Sequence, residues 1–375
     1  MNHLPQLHII RGLAALYVAV SHAKIVFWVG GKIYTQDYPL AEGGIFRYFL
    51  FATDMLSSSA PEFVVSFFIL SGFFINHSFE KNNWTWKGFM TNRIIRIYPP
   101  FIASVLFSVA VFYYMIHFNP ELFSSELDRD LTKRFMVGLD EFSALTFAKT
   151  LVFLKSADYI GCNFAYWSLY HEWIFYLIIP FLHKLRVWAL YISLLLALIP
   201  LFGFNVENNM PLEFIFYYLV YFFIGYNLYD WCKKNIQTAR FIAKPFAYLL
   251  IVALFLATVI MGIVNHSSYS FFVSAVFTSF TIVTLLKYPI EHRWLYKPLI
   301  LLGDISYTLY IFHLPFYYII YAILVSITHQ YIYYDRIYWI AVLLVLIFSY
   351  LMYQLVEKKT FYYIQRLKQQ NNAAN

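Results

Sequence analysis

Long apolar stretches constrain this sequence more than any other feature. About ten of them approach the roughly 20 residues that an α-helix needs to cross the hydrocarbon core of a bilayer. Of the 375 residues, 61% are hydrophobic and only 13% are charged, which is too apolar for a water-soluble chain of this length. We therefore predict an all-α integral membrane protein with about ten transmembrane helices joined by short connections.

The hydropathy pattern predicts individual spans. The predicted spans are 9–29, 61–79, 98–118, 163–182, 187–204, 212–231, 245–264, 270–286, 299–326 and 337–356. Prolines stand just before or at the start of several apolar runs, where a missing N–H costs a helix little: Pro61, Pro211, Pro245 and Pro298. An even number of spans places both termini on the same side of the membrane.

The distribution of positive charge predicts which side that is. With both termini in the cytoplasm, the cytoplasmic segments carry 17 of the 27 Lys and Arg residues. The outer segments carry about half as many, and five of those lie in one long loop, 119–162, where acidic residues outnumber them. Because long loops constrain orientation least, the short-loop bias favours both termini inside.

The same charges argue against nucleic-acid binding, because the net charge of +7 is what a multi-pass protein with basic cytoplasmic loops carries. We expect residues 1–358 to form one transmembrane domain and residues 359–375 a cytoplasmic tail, with no appended soluble domain. Cys162 and Cys232 fall on opposite sides of the membrane in this topology, so we expect them not to pair. Neither their number nor the histidine spacing suggests a metal site.

Ionisable residues within an apolar span are costly and therefore mark functional candidates. Arg11 and His22 both lie in the first span, eleven residues apart. This spacing places them within roughly 20° of one helix face and about 16 Å apart along the axis. One interpretation is an anion-binding arginine and a titratable histidine lining a groove at two depths. The alternative is that Arg11 extends to the headgroups and His22 makes an interhelical hydrogen bond.

Five different short blocks follow one another along the chain. They are Arg11-x10-His22, Phe67 to Phe74 with Ser71-Gly72, Asn92-Arg93-Ile-Ile-Arg96 with Pro99, Tyr166-Trp167-Ser168 to Glu172 and Tyr176, and Gly303 to His313 with Ser306 and Tyr307. In this order and on a chain of about ten spans, the blocks resemble the membrane-bound acyltransferase family 3. The resemblance covers almost the whole chain, although Lys359 follows Glu357-Lys358 where the family often has proline.

The resemblance implies a function in the bacterial inner membrane. Proteins of this family move an acyl group, usually acetyl from acetyl-CoA, onto a hydroxyl of a cell-envelope polysaccharide or its lipid-linked precursor. The implied partners are therefore acetyl-CoA as donor, an envelope glycan as acceptor, and the lipid bilayer. No permanently bound cofactor is expected.

For the catalytic residues, we predict that His22 is the general base that removes the proton of the acceptor hydroxyl, since a neutral histidine suits this task near neutral pH. Glu172 is predicted to orient His22 or to stabilise its imidazolium form. The alternative for Glu172 is an ion pair with Arg11 or with another buried cation.

For the donor, we predict that Arg93 and Arg96 bind the phosphates of coenzyme A, because guanidinium groups bind phosphate through paired hydrogen bonds. The two residues are three apart, on one helical turn, in a predicted cytoplasmic segment. Arg11 would complete this anion site. The alternative for Arg93 and Arg96 is positive charge that only sets topology.

Supporting roles fall to the remaining motif residues: Ser71, Gly72, Trp167, Ser168, Tyr307 and His313. Ser71 and Gly72 permit either close helix packing or close approach of the acyl thioester. Trp167 and Ser168 shape the acceptor entrance or anchor the helix at the interface. His313 is a secondary catalytic candidate or makes a structural hydrogen bond.

Two other functions fit parts of the pattern. Buried charges in a many-span protein also mark translocation paths, so a transporter or flippase of a glycan precursor or acyl donor is the main alternative. Within the enzyme class, transfer of a larger acyl group such as succinyl is the other alternative. The loop 119–162 either selects the acceptor or is a solvated connector.

Overall fold

The computed structural model of the chain describes residues 4–28, 44–81, 85–124, 129–204, 206, 209–238, 240–264, 268–331, 337–360 and 362. Its α-helices of eight or more residues are α1 Leu7–Phe27, α2 Gly44–Leu56, α3 Ala60–Lys81, α4 Trp86–Phe118, α5 Asp130–Asp140, α6 Ala144–Leu151, α7 Trp167–Leu182, α8 Arg186–Leu198, α9 Leu219–Asn235, α10 Lys244–Val264, α11 Ser268–Lys287, α12 Arg293–Asp304, α13 Ser306–Thr328 and α14 Ile337–Met352. No strand occurs in the described part of the chain. The predicted all-α membrane fold is confirmed.

The described residues contain nine helical segments that are long and apolar enough to cross a membrane. The spans predicted at 163–182 and 187–204 belong to one continuous segment, Phe164–Leu198, in which a 3-10 turn at His183–Leu185 separates α7 from α8. A straight helix of 35 residues would measure about 50 Å, against about 30 Å for the hydrocarbon core. Both termini lie on one side of the membrane only if this segment crosses it twice, which gives ten crossings in place of nine. The cytoplasmic location of both termini therefore stays a prediction.

The span predicted at 299–326 is wrong at its start. Pro298 lies inside α12, and the apolar helix that follows begins only at Ser306. Between the two helices, the Ser306 hydroxyl donates a hydrogen bond of 2.6 Å to the carbonyl of Gly303, which satisfies one of the carbonyl groups left over at the end of α12. The candidate membrane span in this region is therefore Ser306–Thr328.

The chain divides into two compact units. The first contains the described residues of Met1–Val18, Ala52–Phe89 and His171–Ser306. The second contains those of Ala19–Phe51, Met90–Tyr170 and Tyr307–Asn375. The prediction of a single transmembrane domain over 1–358 remains untested, and most of the predicted tail, 359–375, lies outside the described residues.

In the first unit, α3 packs closely against α9. A Cβ atom at Gly72 would overlap the carbonyl oxygen of Phe222, and a Cβ atom at Gly225 would overlap the carbonyl oxygen of Ile69. Glycine at both positions therefore lets the two backbones approach, as small residues commonly do between membrane helices.

In the second unit, buried hydroxyl and amide groups join α4 and the segment before α7 to α13. The Ser104 hydroxyl donates to the carbonyl of Ile311 at 2.6 Å, and Asn163 Nδ2 donates to the same carbonyl at 2.9 Å. The hydroxyl groups of Ser104 and Tyr166 are 2.7 Å apart. These bonds matter because water is absent from the bilayer core and polar groups there must find partners within the protein.

Candidate active site

The second unit holds a buried pair of histidines. His22 Nδ1, on α1, lies 2.8 Å from His313 Nε2, on α13. The two rings are nearly parallel, with centroids 5.0 Å apart. His22 is 8% exposed and His313 is completely buried. The structure thus joins the predicted base to a residue that the sequence placed among the secondary candidates.

The second nitrogen of His313 determines how protons are arranged in this pair. His313 Nδ1 lies 3.1 Å from the carbonyl oxygen of Leu309, one turn earlier on α13. Because a carbonyl oxygen only accepts hydrogen bonds, Nδ1 of His313 carries the hydrogen. When both rings are neutral, His313 Nε2 then accepts from the Nδ1–H of His22. This arrangement leaves Nε2 of His22 as the nitrogen that can take up a proton.

Aromatic side chains surround the histidine pair. The ring of Phe164 meets the ring of His22 edge to face, with centroids 4.9 Å apart. Tyr317, one turn beyond His313 on α13, packs edge to face against His313 and against Phe27 on α1. Apolar surroundings of this kind exclude water and strengthen the electrostatic interactions of the groups inside them.

Glu172 lies in the first unit, on α7, where it accepts hydrogen bonds from two hydroxyl groups. Ser71 Oγ, on α3, donates to Glu172 Oε1 at 2.6 Å, and the hydroxyl of Tyr176 donates to the same oxygen. Glu172 takes part in no ion pair with any described residue. Its predicted action on His22 stays a prediction, because the hydrogen bonds of the two residues lie in different units.

Arg11 also belongs to the first unit, near the beginning of α1. Its Nε donates a hydrogen bond of 2.8 Å to the hydroxyl of Ser306. Next to it, a Cβ atom at Gly12 would collide with the backbone of Gly303, so α1 and α12 approach closely at this point. Arg11 is therefore attached to the junction between α12 and α13.

Arg93 and Arg96 lie in the second unit, on α4. The segment is helical, so the two side chains are neighbours on one turn, as the spacing predicts. Arg93 is buried and Arg96 is half-buried. Their predicted binding of coenzyme A phosphates, together with that of Arg11, stays a prediction.

The supporting residues fall into both units. In the second unit the hydroxyls of Ser168 and Tyr310 are 2.7 Å apart, and the Tyr307 hydroxyl donates to the carbonyl of Ile97 at 3.0 Å. Trp167 is half-buried beside Ser168. In the first unit, Gly72 lies against α9, next to the Ser71 that binds Glu172.

Sequence reasoning missed one charged residue beside the histidine pair. The guanidinium carbon of Arg134, on α5, lies 4.3 Å from the ring centroid of Phe164, whose edge meets His22. Arg134 also forms an ion pair of 3.1 Å with Asp158. Burial raises the pKa of the Asp158 carboxyl, while the Arg134 guanidinium opposes the rise. The only signal in the sequence was the alternation of charges in the loop 119–162.

The nine candidate membrane spans among the described residues, with polar side chains hydrogen-bonded to one another between them, define a multi-pass membrane protein of the helical class. The family model described as "Acyltransferase domain" matches residues 4–356, and the chain belongs to this acyltransferase family 3. No curated protein and no solved structure matched the sequence. The family supports acyl transfer as the type of reaction.

Proposed function

We propose that the protein is an O-acyltransferase of the bacterial inner membrane. It transfers acetyl from cytosolic acetyl-CoA to a hydroxyl of a cell-surface polysaccharide or of its lipid-linked precursor. Membership of the acyltransferase family supports the reaction type. The observation that carries the proposal is the hydrogen bond of 2.8 Å between His22 and His313, because it leaves one nitrogen of His22 available as a base.

In the proposed reaction, the acceptor oxygen attacks the thioester carbonyl while Nε2 of His22 takes the hydroxyl proton. The new carbon–oxygen bond forms and the carbon–sulfur bond breaks. The coenzyme A thiolate leaves and receives the proton from His22, so the enzyme returns to its starting state. A positioned base of this kind typically contributes a factor of about 10²–10⁴ in rate.

His313 supports this role of His22 through position and charge. Its Nε2 accepts from the Nδ1–H of His22, which keeps the imidazole in one tautomer and one orientation. When His22 takes up the acceptor proton, the same hydrogen bond becomes charge-assisted and stronger. The hydrogen bond from His313 to the Leu309 carbonyl anchors the pair to α13.

Binding of the acyl donor, acetyl-CoA, is assigned to three arginines. Arg93 and Arg96 share one turn of α4, and Arg11 Nε donates to the hydroxyl of Ser306. Planar guanidinium groups form paired hydrogen bonds with phosphate, which coenzyme A carries. Glu172, with its two hydroxyl donors, is proposed to maintain the packing of α3 and α7.

The test uses a deletion strain complemented with the wild-type protein or with His22→Ala, at matched membrane levels. The O-acetyl content of purified envelope polysaccharide is then measured by NMR. We expect wild type to restore the acetyl signals and His22→Ala to leave them absent. Restoration by both proteins would contradict the assignment of His22. No change in any acyl group after deletion would favour the transporter interpretation.

A further inference from the structure

Arg134 lies beside the histidine pair and is more exposed to the surroundings than either histidine. Its guanidinium carbon lies 4.3 Å from the ring centroid of Phe164, and the edge of that ring meets His22. Exposure decreases along the same series: the Arg134 side chain is 40% exposed, Phe164 is half-buried, His22 is 8% exposed and His313 is completely buried. A ligand that reaches His22 along this series therefore passes Arg134 first.

The guanidinium of Arg134 is held in place and still has hydrogen-bond donors available. Its NH1 group binds Asp158 Oδ2 at 3.1 Å. A guanidinium has five N–H donors, and those other than NH1 have no protein acceptor among the described residues. The half-exposed side chain thus presents donors to a ligand while one donor anchors it.

Asp158 is the anchor of this arrangement. Its side chain is only 2% exposed, and its second oxygen accepts a hydrogen bond of 2.8 Å from the backbone N–H of Tyr159. The backbone around Asp158 is also fixed by a hydrogen bond, because the backbone N–H of Ile160 donates to the hydroxyl of Thr150. Asp158 is therefore a positioning residue, and Arg134 is the residue that can touch a ligand.

The charges of the pair indicate the class of ligand. The Asp158 carboxylate lies next to the guanidinium and offsets its charge, so an anion such as coenzyme A gains less here than at an isolated arginine. A neutral ligand with several oxygen atoms can still accept the N–H groups of Arg134. The half-buried ring of Phe164 offers an apolar surface beside them. Donors next to an apolar ring suit a neutral sugar.

We propose that Arg134 and Phe164 form the acceptor subsite of the enzyme and that this subsite binds a neutral sugar. Arg134 donates hydrogen bonds to oxygen atoms of the sugar, and a neighbouring hydroxyl then reaches Nε2 of His22. Asp158 keeps the guanidinium in position. The inference deepens the proposed function and rests on it for the reaction, but binding of the sugar can be measured without turnover.

The test measures binding of acceptor fragments to the purified full-length protein by saturation-transfer NMR. The probe is oligosaccharide prepared from the envelope polysaccharide of the deletion strain. Arg134→Gln removes the donors, and Lys133→Gln is the matched control, since Lys133 is an exposed neighbour of the same charge. We expect Arg134→Gln to weaken binding about tenfold, the size of one lost charged hydrogen bond, and Lys133→Gln to leave it unchanged.

A second variant distinguishes lost sugar binding from a folding defect, which Arg134→Gln can cause because it leaves Asp158 buried without its cation. Arg134→Lys keeps the charge next to Asp158 and removes the planar set of donors. We expect it to weaken sugar binding several-fold at an unchanged melting temperature. In turnover assays, both variants are expected to raise the KM for the oligosaccharide and to leave the KM for acetyl-CoA unchanged.

Three results would overturn the subsite. They are unchanged sugar binding in both Arg134 variants, a raised KM for acetyl-CoA instead of for the sugar, and a steep loss of sugar binding between about 50 and 300 mM NaCl, which would indicate an anionic ligand. Binding that depends on Arg134 in a wild-type protein that transfers no acetyl would support the subsite and would instead contradict the proposed reaction.

Discussion

His22 and Glu172, the two residues to which the sequence assigns acid–base chemistry, differ in their surroundings. His22 is buried and uses one ring nitrogen for a hydrogen bond to His313, which is itself anchored to a backbone carbonyl. Glu172 is half-buried and receives two hydroxyl donors on one oxygen, from Ser71 and Tyr176. A base needs an atom that can take the incoming proton, which Nε2 of His22 provides, whereas Glu172 holds two hydroxyl groups of its own unit on one oxygen. The comparison favours His22 for proton transfer and Glu172 for structure.

The largest effect is expected at His22. His22→Gln keeps a polar side chain of similar size and removes the base, so we expect transfer to fall by about 10³. The measurement is the initial rate of coenzyme A release with acceptor present. His77→Gln, in the first unit, is the control and should retain the wild-type rate. Near wild-type activity of the His22→Gln protein would contradict the assignment of His22 as the general base.

A smaller loss is expected when the partner of His22 is changed. His313→Phe keeps a ring in the same space and removes both nitrogen atoms, so His22 loses the acceptor for its Nδ1–H. We expect kcat to fall by about 10- to 100-fold, with little change in the KM for acetyl-CoA and an altered pH profile of kcat. A change in KM alone would show that His313 contributes to binding instead of orienting the base.

Glu172→Gln tests the other half of the comparison. The amide retains an oxygen that can accept from Ser71 and Tyr176, so we expect at most about a tenfold loss of activity and a folded protein. Glu172→Leu leaves both hydroxyl groups without this acceptor, and it should lower the melting temperature measurably. Loss in Glu172→Gln as severe as in His22→Gln would show that the carboxylate takes part in proton transfer.

The smallest effects are expected from the donors to Glu172. Ser71→Ala and Tyr176→Phe each remove one hydroxyl, and each is expected to reduce stability by about 1 kcal/mol and activity by less than about threefold. Thermal unfolding in detergent measures the stability of both variants, and the initial rate of coenzyme A release measures their activity. Because the two hydroxyl groups share one acceptor oxygen, the double variant should deviate from additivity. Additive effects would indicate that the two donors act independently of Glu172.

Some features of the fold followed from the pattern of residues. The apolar stretches predicted the membrane helices, and Pro61 and Pro245 each occupy the second position of a helix, as expected. The start of the helix at Ser306 could not be predicted from hydropathy, because 299–302 is as apolar as the span itself. The boundary is set by the hydrogen bond from Ser306 to Gly303 and by the close contact of Gly303 with the backbone of His8.

At the site, the sequence supplied the motif residues, but not which of them contact one another, and it missed Arg134. Arg134 lies in a loop whose alternating charges resemble those of any solvated connector, so nothing in the sequence set it apart. Its place near His22 depends on the packing of α5 against Phe164, thirty residues further along the chain. Such packing follows from the whole second unit and not from local periodicity.

The sequence alone determined that this chain is a helical membrane protein of the acyltransferase family, because span hydropathy and motif order are properties of the chain itself. Only the tertiary structure decided which groups meet. His313 is 291 residues from His22, and their hydrogen bond depends on the rotation and register of α1 against α13. Those quantities arise from packing over many side chains, so no spacing within one helix could specify them.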